Sequence, residues 1–249
     1  MIRVLDNEDF KISDDDVILE LDGVIRVDEC PYFKGNKAIT HWIVNFSSKN
    51  IDAQLYDKYL SSGYRRTGNY LYKNICPHCK KCIPIRIKVD DFCHSKSHKK
   101  ILKRNLNVKI NKEKNKFTLE KYSLFSKYLL ERHKVEDISY KEFEVCYCTS
   151  IVNTYDFVYR VLNKIVAVGI LDISLNCISS VYFYYNFDYR KFSIGYFSML
   201  KEIEYCLIEN KKYYYLGYYL KDYAGMDYKV QLKPHQLYID NEWIDGDLI

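Results

Sequence analysis

The sequence contains no apolar run that approaches the roughly 20 residues a membrane-spanning helix needs, and it shows no internal repeat and no long linker rich in proline, glycine and serine. Proline and glycine are both sparse, with 4 and 9 residues among 249. The first nine residues carry three acids where a secretory signal would carry bases and then an apolar core. We therefore expect a cytoplasmic protein with no membrane partner.

The composition is that of a folded globular protein. Hydrophobic residues make up 48% of the chain and charged residues 29%, which argues against disorder. A chain of 249 residues can form one large domain or two modest ones. The cysteine count is odd, at nine, and agrees with a reducing compartment, where thiols stay free or bind metals. The net charge is only +5, so its local distribution is more informative than its sum.

Two kinds of chemistry coincide between residues 63 and 104. A Cys-x-x-Cys-x-x-Cys run is formed by Cys76, Cys79 and Cys82, and thiolates at this spacing can converge on one metal ion or cluster. The run is flanked by arginines, whose planar groups suit carboxylates and phosphates: Arg65, Arg66 and Arg86. Because adjacent strand residues point to opposite faces, we expect at most one of the first two to enter a pocket while the other pairs structurally.

A basic stretch follows the cysteine run. Between residues 96 and 116 the only acid is Glu113, among many lysines. Its first part is predicted to be a helix, with the cations Lys96, Lys99, Lys100, Lys103 and Arg104. A run of charge is more often a solvated face than a binding surface, so the patch alone does not identify a partner.

Local patterns predict β structure first and a helix-and-sheet unit afterwards. The first half is expected to contain a hairpin at Asp22-Gly23, a helix capped by Asn50 and Asp52 that stops at Gly63, and strands at residues 40–46, 70–72 and 83–89. The second half is expected to contain helices at 119–132, 140–149 and 196–209, and strands at 157–162, 165–173, 180–185 and 213–219.

The order hairpin, strand, loop, helix, strand in the second half is that of the acyltransferase fold of the N-acetyltransferase (GNAT) superfamily. We therefore predict an α/β (α+β) protein in two parts. A β-rich domain with the cysteines and the site for the acceptor N-terminus would span residues 1–94. A GNAT-like transferase domain with a mixed sheet would span residues 95–249.

Three blocks, in this order, resemble the aminoacyl-tRNA–protein transferases of the N-degron pathway. The first is Cys30-Pro31-Tyr32, the second covers residues 63–100, and the third runs from residue 182 through the loop at 188–195 to 215–219 and 226–229. No single block is specific, whereas the ordered set covers most of the chain. Thr67 stands where the family usually has Ser, and both residues carry a hydroxyl. The short chain is similar to the bacterial-type aspartate/glutamate leucyltransferases rather than to the longer eukaryotic arginyltransferases.

The resemblance implies a reaction and a set of residues. An amino acid, with leucine favoured, would pass from charged tRNA to the α-amine of proteins that begin with Asp or Glu, which marks them for N-degron-dependent degradation, and no nucleotide cofactor besides charged tRNA would be needed. The implied catalytic residues are Asp188, Tyr218, Tyr219 and Lys229. The acidic N-terminus would be bound by Arg65 and Arg66, with Arg86 and Arg190 in reserve. The basic helix would contact tRNA. Cys30 would complete the cysteine set to hold an iron–sulfur cluster, with zinc as the alternative.

Three alternatives stay open at this stage. The same transfer could use arginine from Arg-tRNA. A GNAT acetyltransferase using acetyl-CoA is weakened because residues 190–195 offer a single glycine for a phosphate-binding turn. A non-catalytic nucleic-acid-binding metal module would leave the second half of the chain unexplained. The absence of a Gly-x-Ser-x-Gly elbow is no objection to aminoacyl transfer, since an amine can attack an activated ester directly.

Overall fold

A computed structural model describes residues 19–20, 23–44, 50–136, 138–223 and 225–246. The smaller of its two sheets is antiparallel and comprises β1 (Leu19–Glu20), β2 (Gly23–Glu29), β3 (Lys37–Val44), β4 (Arg65–Thr67) and β5 (Tyr70–Asn74). The strands follow the spatial order β1-β2-β3-β5-β4. The short strand β4 therefore lies at an edge, where its side chains can reach neighbouring elements.

The larger sheet has eight strands: β6 (Cys82–Lys88), β7 (Lys109–Lys114), β8 (Thr154–Val161), β9 (Lys164–Ile173), β10 (Cys177–Tyr185), β11 (Tyr213–Leu220), β12 (Gln236–Ile239) and β13 (Glu242–Asp245). Their order is β13-β12-β6-β11-β10-β9-β8-β7. One pair, β10 and β11, is parallel, and the pairs on either side of it are antiparallel. The predicted α/β class with a mixed sheet is confirmed.

The described residues form five α-helices: α1 (Ala53–Ser61), α2 (Lys96–Arg104), α3 (Leu119–His133), α4 (Tyr140–Phe143) and α5 (Ile194–Ile208). The predicted cap of α1 is present, because the Asp52 carboxylate accepts the amide N–H of Gln54 at 2.8 Å and that of Leu55 at 3.2 Å. Ser95 and His98 form a capping box at the start of α2. None of the described helices is long and apolar enough to cross a membrane.

The larger sheet is covered on both faces. On one face, α5 buries residues such as Leu200 and Ile203 against the central strands. On the other face, α3 packs Phe125 and Leu129 against β9 and β10. Beside α3 on this second face, α1 and β5 of the smaller sheet pack against β10 and β11 through a separate apolar cluster. The smaller sheet is thereby brought next to the parallel pair.

Several predicted elements differ from those that the structure contains. The predicted helix at 140–149 is the short α4 followed by a π-helical turn, Glu144–Cys148. Strands β7, β12 and β13 were not predicted. Asp22 of the predicted hairpin turn, and residues 45–46 of the predicted strand at 40–46, lie outside the described residues. Strand β6 precedes residue 94 in the sequence yet pairs with β11 and β12, so the predicted division at 94/95 does not coincide with the division between the two sheets.

Candidate active site where β10 and β11 separate

The two parallel strands of the larger sheet separate partway along their length. β10 and β11 pair from Cys177 with Tyr213 to Ser179 with Tyr215, although both strands continue beyond these residues. Each also has an irregular register at this point, β10 between Ser180 and Tyr182 against β9, and β11 between Tyr215 and Gly217 against β6. A bulge turns a strand aside and leaves backbone groups without strand partners. The space between the separated strands, called the cleft below, is therefore where carbonyl oxygens of β10 can bind a side chain.

The guanidinium of Arg65 lies in this cleft. Its Nη2 donates to the carbonyl oxygens of Ser180 at 3.0 Å and Val181 at 3.2 Å, and its Cζ lies 5.9 Å from the ring centroid of Tyr218. The Nε atom is buried and has no acceptor among the residues that the structure describes. Buried donors are almost always satisfied in proteins, so this N–H indicates a place for an acceptor that the described residues do not supply.

Gly217 makes room for that guanidinium. A Cβ atom at this position would lie 1.2 Å from Nη1 and 2.1 Å from Cζ of Arg65, and the backbone has a φ of +81°. An L side chain is excluded by the contact and disfavoured by the conformation. The glycine of the Tyr-Leu-Gly-Tyr-Tyr motif is therefore the residue that lets Arg65 lie against β11.

Lys229 provides an amine near the Arg65 guanidinium. It begins a 3-10 turn, Lys229–Gln231, is only 7% exposed, and donates from Nζ to the carbonyl oxygen of Tyr218 at 2.7 Å. Burial, and then the positive charge of Arg65, lower the pKa of Lys229 from 10.5 to about 7. Near neutral pH a large share of this amine is unprotonated, so the side chain can accept a proton.

The two predicted tyrosines occupy different faces of β11. The buried hydroxyl of Tyr218 accepts the amide N–H of Asn74 at 3.2 Å and lies 3.4 Å from the carbonyl oxygen of Gly63, and burial raises its pKa well above 10. It contributes its ring and its carbonyl oxygen to the cleft. Tyr219 packs against the core beneath α5 instead, and no described contact joins it to Arg65 or Lys229.

Arg66 faces the opposite way and pairs inside the protein. Its guanidinium forms a bidentate pair with Asp172 of β9, with two N···O distances of 2.8 Å, and the two residues are 3% and 0% exposed. Its remaining N–H groups are directed at Gly68, Thr149 and Thr154. No guanidinium N–H is left for a substrate, so the expectation that Arg66 binds the acceptor is corrected: it anchors β4 to the larger sheet.

Sequence reasoning overlooked Asp172, although a signal was present. The residue lies in the apolar segment Val-Gly-Ile-Leu-Asp-Ile, and a carboxylate in such a strand needs a buried partner. The hydroxyl of Tyr56 donates to it at 2.6 Å and that of Thr154 at 2.6 Å, which completes its hydrogen bonds. Gly217 was noticed as part of a motif, but its role depends on a residue about 150 positions earlier.

The two reserve arginines lie elsewhere. Arg86 of β6 is held between the rings of Tyr213 at 3.8 Å and Trp243 at 4.1 Å, and its Nε donates to Gln236 at 2.8 Å, so it is a packing residue and not a cleft residue. Arg190 is exposed in the 3-10 segment Phe187–Phe192 before α5. Neither is brought to the Arg65 guanidinium by a described contact.

Asp188 lines a cavity at the end of β10. This exposed aspartate follows Asn186, whose side chain accepts its amide N–H at 3.0 Å. The cavity has a volume of about 710 Å³ and is bounded by α3 and by Tyr185, which is within the size range of small-ligand sites. No described contact joins Asp188 to Lys229 or Tyr218.

The four predicted metal ligands are neighbours beside the cleft. Burial and then the charges of Cys76, Cys30 and Cys79 raise the pKa of Cys82 to about 12, and the sulfur of Cys76 accepts the amide N–H of Ile39 at 3.2 Å. Four thiols suit zinc or an iron–sulfur cluster chemically. However, the residues that the structure describes include no group of three or more His, Cys, Asp or Glu side chains arranged to hold a metal ion. We therefore assign no step to a metal.

The basic helix α2 exposes all five of its predicted cations, while His98 is buried beneath them. The buried side chain of Asn105, which ends this helix, donates to the carbonyl oxygen of Phe192 at 2.9 Å. Phe192 closes the 3-10 segment that carries Asp188 and Arg190. The helix that carries these exposed cations is thus joined to the segment that carries Asp188 and leads into α5.

A solved structure shares the fold. That of FemX matches with a TM-score of 0.51 at 9% identity, over 77% of this chain and 68% of that chain. At this identity the likeness shows the fold alone, and it agrees with the predicted GNAT-like fold.

Sequence comparison gives the family. The family models described as "Arginine-tRNA-protein transferase", N terminus and C terminus, match residues 28–100 and 120–239. An "Aspartate/glutamate leucyltransferase" of Campylobacter jejuni subsp. jejuni is 31% identical over 88% of this chain and 93% of its own length, and one of Pseudomonas fluorescens is 31% identical over 86% and 92%. The chain belongs to the aminoacyl-tRNA–protein transferases, enzymes that move an amino acid from charged tRNA to a protein. This membership decides against the acetyl-CoA and non-catalytic alternatives.

Proposed function

We propose that the protein transfers leucine from charged tRNA to the α-amine of proteins that begin with Asp or Glu, and that this marks them for N-degron-dependent degradation. The main support is the Arg65 guanidinium, whose buried Nε has no acceptor in the part of the chain that the structure describes. Leucine is favoured because the curated relatives are named leucyltransferases. Arginine is the second candidate, because both family models carry the arginyl name.

In this proposal the first side chain of the acceptor protein binds at Arg65. A guanidinium is attracted by the negative charge of a carboxylate, which the neutral amide of Asn or Gln lacks, so an acidic side chain is favoured. The nearby Arg66 cannot compete for it because all its guanidinium N–H groups are bonded inside the protein, two of them to Asp172. One arginine thus selects the acid, and its neighbour in the sequence fixes the strand.

In this proposal Lys229 accepts the proton that the attacking amine loses. The acceptor α-amine attacks the ester carbonyl of the aminoacyl-tRNA, a C–N bond forms, and the ester C–O bond to the terminal ribose breaks. The amine loses a proton, which Lys229 can take, and the ribose hydroxyl gains one as it leaves. Holding both substrates in line contributes on the order of 7 to 11 kcal/mol to such a reaction, so no covalent enzyme intermediate is needed.

In this proposal the charged tRNA binds at the cavity beside Asp188 and along α2. The cavity beside Asp188 would take the terminal adenosine, whose ribose hydroxyls can donate to a carboxylate. The exposed cations of α2 would contact tRNA phosphates, since the helix is joined to the same loop through Asn105. These assignments retain Asp188 and the α2 cations as substrate contacts.

The deciding experiment is a transfer assay with separately charged Leu-tRNA and Arg-tRNA, and with peptides that begin Asp, Glu, Asn, Gln or Ala. We expect label on the Asp and Glu peptides alone, and Leu-tRNA as the better donor. Arg65→Met should abolish the preference for Asp over Asn, whereas the matched change at an exposed arginine, Arg190→Met, should keep it. Equal labelling of Asp and Asn peptides by the unaltered protein would refute the carboxylate site.

We propose further that Cys30, Cys76, Cys79 and Cys82 bind an iron–sulfur cluster or zinc, on the chemistry of the four thiols. Protein purified without oxygen should contain iron and sulfide, or zinc, and Cys82→Ser should lose it. Cys206→Ser, at a buried thiol distant in sequence from the set, should retain it. Equal metal content in the two variants would contradict the assignment.

A further inference from the structure

A carboxylate is buried beneath the point where β10 and β11 separate. Glu202 of α5 is 1% exposed, and its oxygens accept hydrogen bonds from the hydroxyls of Tyr159, at 3.3 Å, and Tyr214. Within the described parts of the chain no lysine or arginine pairs with it. Burial raises the pKa of Glu202 to about 7, and the two hydroxyl donors oppose that rise.

The sequence leaves space for this carboxylate. Gly169 of β9 lies above it, and a Cβ atom there would come within 3.0 Å of Glu202 Oε1. A buried carboxylate without a cation is costly, and an apolar residue of similar size would be the more stable choice. The interactions of Glu202 therefore call for an explanation other than stability.

One of its two partners leads to the cleft. Tyr214 is the second of the three β11 residues that pair with β10, opposite Ile178, and its hydroxyl lies within hydrogen-bonding reach of the Ser180 side chain. Ser180 is the first residue of β10 after the pairing ends, and its carbonyl oxygen accepts the Arg65 Nη2 at 3.0 Å. Tyr214 therefore connects Glu202 to the segment of β10 on which Arg65 docks.

The other partner does not lead there. Tyr159 lies on β8, two strands away from β10, and its ring packs in the core under α5. Tyr159 and Tyr214 are both fully buried, and each donates one hydroxyl hydrogen bond to Glu202. The two tyrosines are matched in their burial and in their hydrogen bond to Glu202, and they differ in that only Tyr214 lies next to the place where β10 and β11 separate.

We propose that Glu202 is a positioning residue of the transfer reaction: by holding Tyr214 it fixes the place where β10 and β11 part, and so the carbonyl oxygens on which Arg65 docks. This inference rests on the proposed role of Arg65 as the group that recognises the acidic acceptor. Glu202 itself touches no substrate.

The test compares Tyr214→Phe with Tyr159→Phe. Each variant keeps its ring and removes one hydrogen bond to Glu202. The readout is the ratio of kcat/KM for an Asp peptide to that for an Asn peptide, which a general loss of stability does not change. We expect the ratio to fall about 5- to 10-fold in Tyr214→Phe, the size of one hydrogen bond, and to change less than about twofold in Tyr159→Phe.

Two further variants make the test decisive. Ser180→Ala removes the hydroxyl near Tyr214 at a half-buried position and should lower the ratio as well. Adding Glu202→Gln to Tyr214→Phe should lower it no further, since residues in one network are not additive. Equal ratios in the two tyrosine variants, or an unchanged ratio in Tyr214→Phe and Ser180→Ala while Arg65→Met abolishes it, would overturn this inference alone. An unchanged ratio in Arg65→Met would overturn the proposed role of Arg65 instead.

Discussion

Replacing Gly217 with alanine tests whether Arg65 must lie in the cleft. The added methyl carbon would stand 1.2 Å from Nη1 of Arg65, a distance at which both atoms cannot remain. The backbone of β11 is fixed by its pairing with β6 on both sides of this residue, whereas the arginine side chain is flexible. We therefore expect the guanidinium to leave the separation between β10 and β11.

The size of the effect follows from three contributions. An L residue at a positive φ costs about 1–2 kcal/mol. The two bonds from Nη2 to Ser180 and Val181 contribute about 1.5–3 kcal/mol each, as hydrogen bonds from a charged group do. Releasing the buried Nε, which has no acceptor among the described residues, returns about 1–3 kcal/mol. The free energy of unfolding should fall by about 3–5 kcal/mol, and the preference for an Asp over an Asn peptide should disappear.

The measurement is urea unfolding together with the peptide transfer assay. Gly35→Ala is a matched control, since Gly35 has a φ of +84° but nothing within 4 Å of an added Cβ, so only backbone strain of about 1–2 kcal/mol remains. In an Arg65→Ala background, Gly217→Ala should likewise lose only that amount. The reasoning is refuted if Gly217→Ala has the same effect on stability with and without Arg65, or if it keeps the Asp preference.

Three other predictions concern the surrounding residues. Burial lowers the pKa of Lys229 from 10.5 to about 7, so between these pH values the unfolded chain binds more protons than the folded one, and the lysine destabilises the fold most below pH 7 and less as pH rises. The stability that Lys229→Met gains over the unaltered protein, measured by urea unfolding, should therefore be greatest at pH 6 and decline towards pH 10. A difference that does not depend on pH would contradict the burial of a titrating amine. Arg66→Met should lower the free energy of unfolding by about 3–5 kcal/mol, because it leaves Asp172 buried without its cation, and a loss below about 1 kcal/mol would contradict the anchoring role. Replacing the α2 lysines Lys99, Lys100 and Lys103 with glutamine should reduce the slope of log K for tRNA binding against log salt by about 2–3. The same change at three exposed lysines elsewhere, Lys58, Lys134 and Lys164, should leave the slope unchanged.

The sequence predicts elements well where a local signal is strong. The Asp52 cap, the hairpin of β8 and β9 and the helices α2, α3 and α5 each carry their own turn chemistry or apolar period, and the structure contains them. Strand β7 was missed because its sequence, Lys-Ile-Asn-Lys-Glu-Lys, has one apolar residue and forms the edge of the sheet. An edge strand has little to bury, so its pattern resembles a solvated segment.

The site was less accessible to sequence reasoning because its geometry depends on distant partners. Alternation along a strand predicts that Arg65 and Arg66 face opposite ways, but it does not tell which one is anchored. That choice depends on Asp172, 106 positions later, and on the glycine at 217, which admits one guanidinium. The same holds for Arg86, whose ring partners Tyr213 and Trp243 come from the other end of the chain.

The adjacency of the two arginines explains how a short edge strand can present a rigid cation. β4 has three residues and pairs with β5 alone, so its own hydrogen bonds hold it weakly. Arg66 fixes it to β9 through a bidentate pair that is closed to solvent, and the next residue back is thereby directed across β10 towards β11. A guanidinium held in this way loses little freedom when it meets a carboxylate, and preorganisation of this kind strengthens binding without any added contact. Arg65→Lys should for this reason weaken the Asp preference although it keeps the charge, because an ammonium lacks the planar fork that reaches two carbonyl oxygens of β10 and still directs an N–H into the cleft.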